Sequence, residues 1–251
     1  MPEPTITTPT SAKAGDIINR VAVEVGLAKV VDPYSSQDDN FIQLRELLNI
    51  AGDELLYMYS WSACSRVAAV DTSVDASGVY PFPVDFQRIT NQTAWELNNR
   101  IPVISLSAQQ WAMMEGRQLA KDTIYAKFRI QQGKFTIFPQ PAPPNLLINY
   151  EYFSVNWVTD GTVVGLLKAE CTQPADVPFF PRLVISRYLK LKWLQAKGLD
   201  ATIAQDDFNQ IFDNITGVDK GAPVLNAGSG VYGVPLLNGW DNIGDTGFGN
   251  P

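Results

Sequence analysis

Histidine is absent from all 251 residues, and cysteine occurs only twice, as Cys64 and Cys171. Without an imidazole there can be no histidine-dependent triad, no His-based zinc site and no histidine general base. Two cysteines cannot build a disulfide framework or a cysteine-rich metal site. Basic residues are also outnumbered, with 19 Lys and Arg against 26 Asp and Glu and a net charge of −7. A surface built to grip phosphates would carry the opposite sign. Long apolar runs are missing too: no window approaches the roughly 18 residues a membrane helix needs. The first 15 residues, rich in Pro, Thr and Ser, contain no apolar core of a signal peptide, so an intracellular product is expected. What is present is a folding composition, 45% hydrophobic and 18% charged.

Periodicity divides the chain into five parts, namely an N-terminal arm over 1–15, helix over 16–63, β-structure over 64–158, helix over 159–217, and a C-terminal arm over 218–251. The first helical part contains the clearest stripe, Phe41, Leu44, Leu48, Ala51, Leu55 and Met58, stepping by three and four. Asp38, Asp39 and Asn40 stand where carboxylates cap a helix start, a better explanation of the acidic pair than a metal site. The fold class expected is therefore α+β: a helical bundle with an inserted antiparallel β-domain and an extended C-terminal arm.

Within the β-part, Val67, Ala69 and residues 71–79 suggest a hairpin turning at Asp75-Ala76-Ser77-Gly78. A second hairpin is expected from residues 125–130 and 134–139, followed by a strand at 146–152. Ser107 with Gln110 has the spacing of a helix capping box. Residues 165–178 read as a loop. In the second helical part Val184, Tyr188, Leu191 and Leu194 form one apolar side, and Ile185, Leu189 and Trp193 another. An arc that wide predicts burial on two fronts, with Ile185, Leu189 and Trp193 as a candidate subunit interface. Ala204, Phe208, Ile211 and Ile215 mark the last helix. The arm after 217 holds eight glycines, yet also Val231, Tyr232, Leu236, Leu237, Trp240 and Phe248. So many large apolar groups suit an arm that orders on a partner rather than a plain linker.

Candidate chemistry is sparse, and no catalytic, cofactor-binding or metal-ligating residue is assigned. Residues 228–233 spell GxGxxG, but without the strand and helix that make it a phosphate cradle. Glu96 beside Trp95, and Glu151 between Tyr150 and Tyr152, can be imagined as the carboxylate pair of a sugar hydrolase. Charges facing solvent on strands with core-facing aromatics explain them more simply. Asp85 suits a turn cap or a partner for Arg88. Arg182, Arg187, Lys190, Lys192 and Lys197 concentrate basic charge without lining one face, as expected of a solvated or salt-bridged surface.

The ordered set Tyr80-x-Phe82-Pro83-x-Asp85-Phe86-x-Arg88, Trp95-Glu96, Arg100-x-Pro102-Val103 and Leu106-Ser107-x-x-x-Trp111 resembles the head-to-tail adaptor (connector, tail tubular protein A-like) proteins of tailed bacteriophages. The resemblance extends over about residues 16–217 through Gly133-Lys134-Phe135, Asn156-Trp157-Val158 and Ala196-Lys197-Gly198-Leu199-Asp200. Two positions depart from the family's habit: Phe82 stands where Leu is usual, and Gln110 where an acid often precedes the tryptophan. The resemblance implies a non-enzymatic structural virion protein: a homo-oligomeric ring, typically a dodecamer, between portal protein and tail nozzle or tail tube. Genomic DNA would pass through on ejection without sequence-specific binding, and no membrane or cofactor would be involved. Assembly would occur in the host bacterial cytoplasm, and the protein would reside in the virion neck. The C-terminal arm, with Val231, Tyr232, Leu236, Leu237, Trp240 and Phe248, would dock on the portal. Two other classes remain open, a peptidoglycan hydrolase of the virion using the paired carboxylates and a carbohydrate-binding β-module over 64–158.

Overall fold

The computed structural model describes residues 12–116 and 126–219. Among them the chain forms a helical body into which a β-block is inserted, so the class is α+β. The body consists of α1 (Ala14–Glu24), α2 (Asp39–Met58), α4 (Arg182–Ala196) and α5 (Thr202–Asp219). The β-block holds β1 (Ser65–Asp71), β2 (Val79–Pro81), β3 (Phe86–Ile89), β4 (Trp95–Glu96), β5 (Ile101–Pro102), β6 (Ile104–Ser105), the short helix α3 (Ala108–Gly116), β7 (Lys127–Gln131), β8 (Lys134–Phe138) and β9 (Leu147–Ser154). A small sheet of β10 (Val158–Thr159), β11 (Leu167–Lys168) and β12 (Val177–Pro178) returns the chain to the body.

Helix α2 follows its apolar stripe. Phe41, Leu44, Leu48, Ala51 and Leu55 are buried, while Met58 at the last turn is exposed. Its start is capped as its sequence dictates, the Asp38 carboxylate accepting the Asn40 N–H at 2.8 Å. Helix α1 has no side-chain cap. Instead the Asp176 and Pro174 carbonyls accept the N–H groups of Ala14 and Gly15, at 2.7 and 3.0 Å.

The wide apolar arc of α4 is covered largely from within, with Leu194 half-buried and Leu183 exposed. This helix packs against α1, α2 and α5 at once, and Ile185, Leu189 and Trp193 are buried in the same core as Val184, Tyr188 and Leu191. The expectation that Ile185, Leu189 and Trp193 face a neighbouring subunit is therefore corrected. A two-sided arc arises equally well when three helices of one chain surround a fourth.

In the β-block, one sheet runs β1-β9-β4-β5 with β3 also paired to β9, and another runs β2-β8-β7-β6. Pairing is antiparallel except for β6 beside β7, which is parallel. The hairpin expected across residues 67–79 does not form: β1 pairs with β9 and β2 with β8, so the turn at 75–78 carries the chain between sheets. Val67 and Ala69 face outward, while Val70 is buried. The second hairpin does form, with Gln132 and Gly133 both at positive φ, the twist that suits a two-residue connection.

Its core is a run of aromatic contacts. Phe82 stacks on Phe86 at 3.7 Å between ring centroids, Phe128 on Phe135 at 4.6 Å, and Phe135 on Tyr150 at 5.1 Å. Helix α3 opens with the expected reciprocal box: the Ser107 N–H donates to Gln110 Oε1 (2.9 Å), and the Gln110 N–H to Ser107 Oγ (3.2 Å). It delivers Trp111 edge-on to Phe138.

Trp157 joins the two bodies. Its indole lies against Phe180 and over Gly52, and its N–H donates to Asp53 at 3.1 Å. Phe153, Trp157 and Val158 already belong to the helical core. Residues 165–178, expected as a loop, contain β11 and β12, which flank β10.

Candidate functional site

The register separates the two carboxylates of the hydrolase reading. Glu96 lies opposite Ile148, and Glu151 sits three residues further along β9. Strand parity puts them on opposite faces, about 10 Å apart along the strand. Glu96 is fully buried, contrary to the expected solvent-facing charge, while its neighbour Trp95 is the exposed member of β4. The Glu96 carboxylate accepts the N–H groups of Asn98, Asn99 and Leu147, at 2.9, 2.5 and 3.4 Å, and so fixes the turn after β4. Glu151 receives the Ser65 hydroxyl. Each carboxylate secures local structure, and no scissile bond could lie between them.

Asp85 is also structural. It accepts the hydroxyls of Tyr152 (3.0 Å) and Ser154 (2.6 Å), tying the loop before β3 to β9. Arg88 does not pair with it, donating instead to Ser60 Oγ at 2.9 Å and lying over the Phe153 ring. Both cysteines are free and buried, and burial pushes the Cys64 thiol up to about 12, away from reactive thiolate. No group of three or more metal-ligating side chains occurs among the described residues. Nor, among them, is any helix long and apolar enough to cross a membrane. The arm residues Val231, Tyr232, Leu236, Leu237, Trp240 and Phe248, and the GxGxxG at 228–233, lie outside the described residues.

Four of the five basic residues in and just after α4 are engaged within the chain, while Arg182 is exposed. Arg187 and Lys190 meet Glu24 of α1, at 3.0 and 3.3 Å, and Lys192 meets Glu54 of α2 at 2.5 Å. Lys197 lies over the Trp193 ring and donates to Asn40. Glu54 also receives the Tyr188 hydroxyl. Burial alone would raise the Glu54 carboxyl, but these donors outweigh it and hold the group below its ordinary value. The charges thus clamp α1 and α2 onto α4 rather than forming a nucleic-acid face.

An ionic cluster unread in the sequence closes the small sheet. Lys168 Nζ lies 2.6 Å from Asp176 and 3.0 Å from Asp160, and the Asp176 side chain is wholly buried. Hydrogen bonds from the Thr162 hydroxyl and backbone, then from the Val163 N–H and Lys168, hold Asp160 far below the usual carboxylate range. Burial opposes ionisation of Asp176, and donors from Lys168, Thr172, Gln173 and Gly161 override it. The hint in the sequence is the Asp160-Gly161-Thr162 turn, whose carboxylate caps its own loop.

Two of the exposed surfaces among the described residues bear on binding. The outer side of α5 shows Ile203 (80% exposed) and Val218 among Asp206, Asp207 and Asp213, with no basic residue on the helix. The second is a cleft of about 490 Å³ where the two large sheets meet, with Trp95 at its wall. Set against known proteins, the chain matches no family model and no curated protein.

Proposed function

We propose that the protein is a head-to-tail adaptor of a tailed bacteriophage, a non-enzymatic subunit of a ring, typically of twelve copies, through which genomic DNA passes. The observation that carries this reading is the work done by the residues that bear the resemblance. Tyr80, Phe82, Asp85 and Phe86 build the aromatic and hydrogen-bonded centre of the inserted β-block. Ser107, Gln110 and Trp111 dock α3 onto it. Trp157 fastens the block to the helical body. All of these are scaffolding roles, in an inserted-domain arrangement that suits a ring subunit.

With Ile185, Leu189 and Trp193 committed to the subunit's own core, the outer side of α5 is a face open to a neighbouring copy. A ring needs two different faces that recognise each other, and an acidic helix with protruding Ile203 and Val218 is one such face. The excess of acid over base favours DNA sliding over sticking in the channel. The arm, expected from residue 218 but starting after α5 ends at Asp219, reaches the portal through Val231, Tyr232, Leu236, Leu237, Trp240 and Phe248, and the tail nozzle or tail tube closes the other side of the ring. On this reading the protein resides in the virion neck and assembles in the bacterial cytoplasm. Electron microscopy of the chain bound to its portal is the test: a closed ring supports the adaptor, and isolated subunits contradict it.

A further inference from the structure

We propose that the cleft beside Trp95 binds a neutral glycan, with one sugar ring seated on the indole. The proposal is independent of ring assembly and rests on the cleft itself. The cavity is lined by the 90–92 loop, β4, β5 and β6, and by Phe128 of β7. Its volume, about 490 Å³, falls in the range of small-ligand sites (roughly 300–1,000 Å³).

Three features select the ligand class. The first is Trp95 itself. Of the five tryptophans among the described residues, Trp61, Trp111, Trp157 and Trp193 are buried in cores, whereas Trp95 is 42% exposed and stacks on no other ring. An indole ring is electron-rich and apolar, complementary to the C–H face of a pyranose, and Trp95 both lines the cleft and is partly exposed. The second is the polar inventory. Asn91 and Gln92 each carry a donor and an acceptor on one amide, and Thr90 and Ser105 each carry a hydroxyl. Sugar hydroxyls donate and accept in the same way, so these groups match them. Thr90 lines the cleft, and its hydroxyl is buried without a hydrogen-bond partner among the described residues. Gln92 adopts φ +61, which holds its side chain on a tight turn at the rim. The third is charge: none of the described residues lining the cleft is ionisable. Anionic ligands such as phosphates therefore find no counter-charge there.

An extended peptide added to the sheet edge is the competing occupant. The free edges offer it little, since β5 and β6 are two residues each and Pro102 has no N–H to donate.

The test is calorimetric titration of the full chain with cellohexaose, maltohexaose and the hexamer of N-acetylglucosamine, with an Ala-Thr repeat peptide alongside. At least one hexaose is expected to bind in the sub-millimolar range. Trp95→Ala is expected to weaken it by about tenfold or more, Trp95→Tyr to retain most of it, and Thr90→Val to weaken it by about threefold. Thermal melts are expected to show Trp95→Ala folded, because the ring is not part of a core. The proposal is overturned if no hexaose binds, if Trp95→Ala binds as the parent does, or if only the peptide binds.

Discussion

Gly52 sits on α2 where Trp157 crosses, and a β-carbon there would lie 2.2 Å from the indole. The ring cannot retreat, because Phe180 stacks on it and Asp53 holds its N–H. Gly52→Ala is therefore expected to destabilise by about 3 kcal/mol, read as a lower urea midpoint, even though alanine favours a helix. The Lys168 cluster gives a prediction with a pH signature. Asp160 and Asp176 are held below the ordinary value of 3.8. A carboxyl depressed by folding contributes stability that is complete above its unfolded value and is lost as pH falls through its folded value. Stability of the parent should thus decline below about pH 4. Lys168→Met leaves Asp176 buried without its counter-charge, and should cost about 3 kcal/mol at neutral pH while flattening that acid decline. Denaturation across pH measures both.

At the scale of elements, local signals were legible and remote pairings were not. The stripe and cap of α2, the positive-φ turn between β7 and β8, and the Ser107–Gln110 box are each encoded within a few residues, and each forms. The box makes its own prediction: Ser107→Ala should cost about 1 kcal/mol, and hydrogen exchange should show fraying confined to the start of α3. By contrast, β1 finds its partner in β9, with Ser65 opposite Phe153. Nothing in the alternation of Val67 and Ala69 names a partner that distant, so a neighbouring strand was expected instead. Strands of two residues, such as β10, β11 and β12, carry no period to read. In β4 the same brevity hid the phase, so that Glu96 is inside and Trp95 outside. The arc of α4 announced that both its flanks would be covered, but not that α1, α2 and α5 would do the covering.

For the whole molecule, the sequence conveyed the helical body and the β-insertion, because composition and period change visibly near residue 64 and again near 160. It did not convey the exposed α5 face or the Trp95 cleft, which exist only once distant strands and helices have met. By placing Glu96 and Glu151 on opposite faces of one sheet, the structure removes this pair as the two carboxylates of a sugar hydrolase. On the proposed reading, the ring interface would include the exposed Ile203 and its acidic neighbours. The central claim is assembly on a portal, and imaging by electron microscopy of the purified chain mixed with portal-bearing capsids tests it most directly. The account predicts a closed ring seated on the portal, and its loss when residues 220–251 are removed, with Asp219 retained because it ties the end of α5 to Ser62. A full-length chain that stays monomeric and ignores the portal would contradict it.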